Sequence, residues 1–209
     1  MAEHRFIQGS DEWKNFRLGK VTASRVKDVM ATTKSGPSAS RKNYMMELLC
    51  ERLTGTRQEG FTSKEMQRGT DLEPLARASY EINTGLMAFE TGCFSHPQIV
   101  GFIASPDGIV GESGLLECKC PNTANHIAVI QSGKHDSQYE WQMLAQMACT
   151  GREWVDFVSF DDRLPEPLQY ACRRFKRDQD RIAAMEAEIT AFLAELAQLE
   201  KDMRQRMAA

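Results

Sequence analysis

The sequence predicts an α/β or α+β fold, a central mixed sheet flanked by helices. Three observations predict it. Residues 10 to 85 carry helix signals punctuated by Gly19, Gly36-Pro37, Gly55 and Gly85. From Leu86 the pattern shortens into β-rich runs cut by glycine and proline. From Lys176 to about Met207 neither glycine nor proline occurs, and MEAEITAFLAELAQLE is built from strong helix formers. At 209 residues the chain fits one domain, residues 1–209, with 176–207 as a long C-terminal helix.

The elements follow in order. Ser10 or Asp11 caps a short helix through Leu18, and Gly19 ends it. Thr22 or Ser24 caps a second, Arg25 to Met30, with Val26, Val29 and Met30 on one face. ATTKSGPSAS reads as a loop. Asn43 to Leu53 is helical and stops at Gly55. A polar connection runs to about Ser63. Gln67 to Asn83 is a longer helix, with Pro74 requiring that its regular part begin nearby. LMAFETGCF, IVGFIASPDGIV and GLLECKCP then read as three consecutive antiparallel strands, with GESG as a turn. Helices are predicted over Thr123–Gln131 and Gln138–Ala148, and strands over WVDFVSF (154–160) and LQYACRRF (168–175).

Composition bounds the function loosely. The hydrophobic share of 42% suffices for a real core. No run approaches the roughly 18 apolar residues of a membrane span. MAEHRFIQGSDEW lacks the apolar core of a signal peptide, so a cytoplasmic protein is expected. Six cysteines (50, 93, 118, 120, 149, 172) then read as reduced thiols. Cys118-x-Cys120 has neither zinc nor iron–sulfur spacing. The four histidines (4, 96, 126, 135) show no ligand spacing and are read as non-ligands. A net charge of −3 does not suggest a nucleic-acid partner, although a local basic groove remains compatible with it.

The informative stretch is SPDGIVGESGLLECKCP, residues 105–121. Side chains alternate faces along a strand. Leu115, Glu117 and Lys119 therefore share one face, and Leu116, Cys118 and Cys120 the other. An antiparallel pairing brings Asp107 beside Glu117. Two adjacent carboxylates repel, and a divalent cation of the Mg²⁺ or Mn²⁺ type would offset that. The plainer reading is a surface ion pair of Glu117 with Lys119, and Asp107 in a turn.

Pro106-Asp107, nine intervening residues, then Glu117-Cys118-Lys119 resembles the PD…(D/E)xK nuclease signature. Three further segments make the resemblance specific. WKNFRLGKVTAS (13–24), Arg68-Gly69-x-x-x-Glu73 and Tyr139-x-x-Gln142-Met143 resemble, in order and spacing, segments of the phage lambda-type alkaline exonucleases. The likeness covers residues 13 to about 160. It implies a restriction-endonuclease-like core and magnesium-dependent 5′→3′ digestion of one strand of linear duplex DNA, with manganese as a substitute ion. The product would be a 3′ overhang for recombination by strand annealing. It further implies a ring of three chains, a single-strand annealing partner and work in the cytoplasm of a bacterial host.

Carried onto this sequence, the resemblance makes Asp107, Glu117 and the backbone carbonyl of Cys118 metal ligands. Lys119 becomes the catalytic lysine and Glu73 an additional catalytic acid. Arg17, Ser24, Ser105 and Gln142 would bind the 5′ phosphate, and Trp13 the DNA. Arg suits phosphate because its planar fork donates two hydrogen bonds. Taken alone, Arg17 reads as a surface arginine over an apolar face, Ser24 as a helix cap and Gln142 as a polar helix position. Lys34, Arg41, Lys42 and Lys134 sit in or beside predicted loops, as backbone contacts or solvated charges. Two other readings stand beside the first: an endonuclease or CRISPR-type end-trimming nuclease on the same core, and a non-catalytic module built around the C-terminal helix.

Overall fold

The computed structural model describes residues 2–34, 36–57 and 63–207. Most of the predicted polar connection before Ser63 and residue 35 of the predicted loop lie outside them. The first half contains β1 (Ala2–His4), α1 (Asp11–Arg17), β2 (Val21–Thr22), α2 (Val26–Met30), β3 (Thr32–Thr33), β4 (Gly36–Pro37), α3 (Ala39–Thr54) and α4 (Lys64–Thr84). Then follow β5 (Ala88–Phe89), β6 (Cys93–Ser95), β7 (Phe102–Ala104), β8 (Gly108–Val110), β9 (Gly114–Lys119), α5 (Thr123–Ser132), α6 (Glu140–Thr150), β10 (Trp154–Phe160), β11 (Tyr170–Lys176) and α7 (Gln179–Met207). The fold is mixed α/β with a long C-terminal helix, as the periodicity predicts.

The strands form a five-stranded sheet, β11-β10-β9-β8-β5, and a four-stranded one, β1-β6-β7-β2. Three predicted strands therefore become five. LMAFETGCF divides into β5 and β6, and IVGFIASPDGIV into β7 and β8, each pair split between the two sheets. The second split falls at Ser105-Pro106-Asp107. Within the larger sheet β8 and β9 run antiparallel, and β9 and β10 parallel.

Helix boundaries also differ from the sequence reading, three of them by three residues or more. α3 starts at Ala39 because Ser38 Oγ accepts the Arg41 N–H at 3.2 Å, and β3–β4 is a small hairpin in the predicted loop. α4 starts at Lys64, where Ser63 caps the Met66 N–H at 3.1 Å. Pro74 consequently lies well inside α4, and the Thr70 carbonyl loses its helical donor. α7 begins at Gln179, because Lys176 closes β11 opposite Trp154.

Helices bury both faces of the larger sheet. On one face Leu115, Val155 and Phe157 join a cluster with Met143, Leu144 and Met147 of α6. Ile182, Met185, Ile189, Phe192 and Leu196 give α7 a buried stripe at helical spacing in the same cluster. There α7 meets α3: Phe192 stacks on Tyr44 with ring centroids 5.8 Å apart, and Glu195 takes a two-pronged bond from Arg41. On the opposite face Leu116, Cys118, Val158 and Phe160 pack with Ala76 and Tyr80 of α4.

Candidate active site

The site forms where β8 stops accompanying β9. Gly108 pairs with Leu116, and the Asp107 N–H still reaches the Leu116 carbonyl at 3.1 Å. The next residue back is Pro106, whose carbonyl accepts from Gln8 Nε2 at 2.9 Å. The Cys118 N–H would be orphaned there, and Asp107 Oδ2 accepts it at 2.7 Å. Continuing the register by one step sets Asp107 against Glu117, the juxtaposition the sequence predicts.

Glu117 has no solvent exposure. It points to the α6 face of the sheet, where Gln142 donates to its Oε1 and Gln146 to its Oε2. Lys119 Nζ also reaches Oε1. A buried carboxylate is tolerable only with such partners. Burial works to lower the Lys119 pKa, but Glu117 and Asp107 outweigh it and hold the ammonium above its ordinary range. The reverse holds for the acids. Burial, then repulsion from Glu117, pushes Asp107 well above the usual carboxylate range. Burial also raises Glu73, with Arg77 pulling against it and Glu117 adding to it.

Asp107, Lys119 and Glu73 line one cavity of about 630 Å³, with Ser24 and Gln142 on its wall. Arg17 and Ser105 form a second group. Arg17 Nη1 donates to Ser105 Oγ at 3.3 Å, as does Trp13 Nε1 at 3.1 Å, and the guanidinium lies 4.0 Å over the indole ring. Burial lowers the Arg17 pKa. Trp13 thus braces Arg17 and Ser105. Of the four predicted phosphate ligands, two line the cavity and two sit together beside Trp13.

One other expectation needs correction. Arg41 is a buried partner of Glu195, not a loop cation. Lys34, Lys42 and Lys134 are exposed. Each histidine is hydrogen-bonded within the protein: His4 to Ser95, His96 to Glu186, His126 to Ser159 and the Leu168 carbonyl, His135 to Glu140.

Sequence reasoning missed Gln146, although it lies one helical turn from Gln142 and so shares its face. It also missed Asp161 and Arg163. Asp161 is fully buried after β10 and binds Arg68, Arg163 and Thr123. Arg68 and Arg163 line the same cavity.

Among the described residues no three side chains of His, Cys, Asp or Glu form a ready metal cluster. The donor chemistry nonetheless fits a hard divalent cation. Asp107 and Glu117 crowd two carboxylates together, and Asp107 Oδ1 has no hydrogen bond among the described residues. Carboxylate and carbonyl oxygens with retained waters suit Mg²⁺ or Mn²⁺.

This geometry has known counterparts. Residues 12–153 match the YqaJ-like viral recombinase domain. The alkaline exonuclease LHK-Exo of Laribacter hongkongensis is 55% identical, with a TM-score of 0.89 over 95% of this chain and 98% of that one. The same figures hold for LHK-Exo in complex with dAMP. A phage-related exonuclease from Haemophilus somnus 129PT, 18% identical, shares the fold, with a TM-score of 0.69 over 88% of this chain and 96% of that one. Among the curated proteins none matches. With most of its length matched by the domain and its cavity floored by Asp107 and Lys119, the chain belongs to the YqaJ-like viral recombinase family, with the lambda-type alkaline exonucleases.

Proposed function

We propose that this DNA nuclease degrades one strand of linear double-stranded DNA from its 5′ end, with Mg²⁺ or Mn²⁺, leaving a 3′ overhang for strand annealing. The observation that carries the reading is the convergence of Asp107, Glu117 and Lys119 where β8 parts from β9. The 55% identity to an alkaline exonuclease supports it.

Asp107, Glu117 and the Cys118 carbonyl would hold the ion, which supplies positive charge at the phosphate and an acidified water. Gln142 and Gln146 fix Glu117, so that carboxylate is aimed before any ion arrives. Lys119, kept protonated by its acidic neighbours, donates to the charge that develops on the scissile phosphate. Glu73 stands on the facing helix as a further acid. Its raised pKa suits proton exchange with water or the leaving oxygen.

Arg17, Ser24, Ser105 and Gln142 would receive the 5′-terminal phosphate. Trp13 then acts by holding Arg17 and Ser105. The whole chain works as one nuclease domain in this reading, closed by α7. No helix among the described residues is long and apolar enough to cross a membrane. The proposed setting is the cytoplasm of a bacterial host, as a ring of three chains beside a single-strand annealing protein.

Duplex labelled at either end tests the proposal. A 5′ label should be released first from linear duplex, and only with Mg²⁺ or Mn²⁺. Cutting of closed circles would favour the endonuclease reading instead. Undiminished digestion in EDTA would remove the metal site.

A further inference from the structure

One wall of the catalytic cavity, with Arg68, Gly69 and Arg163 on it, has no part in the roles proposed above. Its centre is Asp161, a carboxylate with no exposure. Arg163 grips it with two prongs, Nε to Oδ1 at 2.7 Å and Nη2 to Oδ2 at 3.0 Å. Arg68 Nη2 reaches Oδ1 at 2.9 Å and also bonds Asp162. Thr123 Oγ1 completes the set at 2.7 Å. A buried anion this well partnered fixes its partners in turn. Burial opposes its ionisation, but the bonds from Arg163 and Thr123 prevail and keep its pKa below the usual range. Arg163 nevertheless remains 47% exposed, and its Nη1 has no hydrogen bond among the described residues. Nη2 also donates to the Pro121 carbonyl at 3.1 Å, so Nη1 is the donor left to face a phosphate oxygen.

A second observation falls on the same wall. Gly69 follows Arg68, lines the cavity and lies inside α4. Among the described residues a Cβ built there meets nothing within 4 Å. Alanine would therefore fit the folded protein, and it would favour the helix by about 1 kcal/mol. Packing among the described residues does not explain the glycine. Clearance for something that enters the cavity does.

We propose that Arg163 and Arg68, aligned by Asp161 and cleared by Gly69, form a second phosphate subsite that grips the backbone of the DNA strand lying in the catalytic cavity. The inference rests on the nuclease reading above and adds a contact separate from the 5′-phosphate group of Arg17 and Ser105. Its chemical reason is the floor. Asp107, Glu117 and Glu73 repel an entering phosphodiester; Asp161 and Asp162 balance the two arginine charges, so what the wall offers the strand is an oriented donor at Arg163 Nη1. Asp161 is a positioning residue here; the two arginines touch the strand.

The test uses the full chain carrying Asp107→Ala, so that bound DNA stays intact, and a 5′-phosphorylated duplex with a 3′ tail. Affinity is measured against salt concentration. Each phosphate contact contributes roughly 0.7 to 0.9 to the slope of log K on log salt. Arg163→Gln should weaken binding about tenfold at low salt and lower the slope by about that amount, as loss of one charge-assisted contact would. Gly69→Ala should weaken binding while leaving the melting temperature equal or higher. Unchanged affinity and slope in Arg163→Gln, with or without a lower melting temperature, would make the cluster a structural staple and overturn the proposal. If Arg163→Gln does not fold, Gly69→Ala decides alone, and full affinity there overturns it. Brisk cutting by Asp107→Ala itself would instead strike at the nuclease reading.

Discussion

The two halves of β9 lie in different surroundings. Gly114, Leu115 and Leu116 are paired on both sides, to β8 and to β10. Glu117, Cys118 and Lys119 keep β10 but have lost β8. In the first half Leu115 and Leu116 feed the two opposite cores. In the second the α6-facing positions, Glu117 and Lys119, are charged and hydrogen-bonded to each other. One strand therefore supplies both rigidity and chemistry. The change is set by a residue outside it. Pro106 ends the β8 ladder, and the gap is filled by a carboxylate instead of a backbone carbonyl.

The sharpest way to break this contrast is to mutate each half. Asp107→Ala or Glu117→Ala should abolish cleavage, and Lys119→Ala should lose orders of magnitude in rate. Leu116→Ala should instead cost about 2–5 kcal/mol of stability and keep the specific activity of the molecules that remain folded. Rates per folded molecule, beside denaturant titrations, check this. Equal losses of specific activity in Leu116→Ala and Lys119→Ala would dissolve the distinction.

A smaller effect concerns the other side of Pro106. Ser105 turns toward Arg17 while Asp107 turns toward β9. Arg17→Ala should therefore erase most of any preference for 5′-phosphorylated over 5′-hydroxyl duplex, roughly ten- to a hundredfold for a charge-assisted bond. Metal-dependent cutting should persist. Both substrates are compared at fixed salt for wild type and variant. Equal slowing on both would detach Arg17 from the 5′ end.

The smallest effect is thermal. The folded pKa of Asp107 is raised, so the folded state disfavours its ionised form relative to the unfolded chain. Its contribution to stability is present below the ordinary value of 3.8 and is lost as pH rises toward and through the folded pKa. Without divalent ions Asp107→Asn should raise the melting temperature by a few degrees at neutral pH, and the gain should shrink toward pH 4. Mg²⁺ should raise the wild-type value and leave the variant nearly unmoved. Melting curves across pH, with and without Mg²⁺, read both.

Much of this arrangement was legible in the sequence. WVDFVSF announced β10 to the residue, and the alternation of LLECKC separated Glu117 and Lys119 from Cys118. The switch between sheets at Pro106 was not legible, because a strand that continues in another sheet keeps the same apolar pattern. Pro74 misled the reading of α4: the proline rule locates a missing hydrogen bond, yet here the helix runs on through it. Asp161 lies just past the predicted strand and carried no motif of its own. Only the fold shows that three cationic or hydroxyl side chains, from distant parts of the sequence and from Arg163, close around it.

The packing of α7 sets an order in time. The Arg41–Glu195 bond joins residues 154 positions apart, and Phe192 covers Tyr44 in the same helix pair. Ser24, on the cavity wall, leads directly into α2, and α2 shares that core. Contacts of such long sequence separation form slowly, because their loop entropy must be met first. A growing polypeptide that has not yet reached Gln179 has every proposed catalytic side chain but lacks the apolar stripe that packs with α2 and α3. Removal of α7 should therefore leave Ser24 and its cavity wall without the core behind α2.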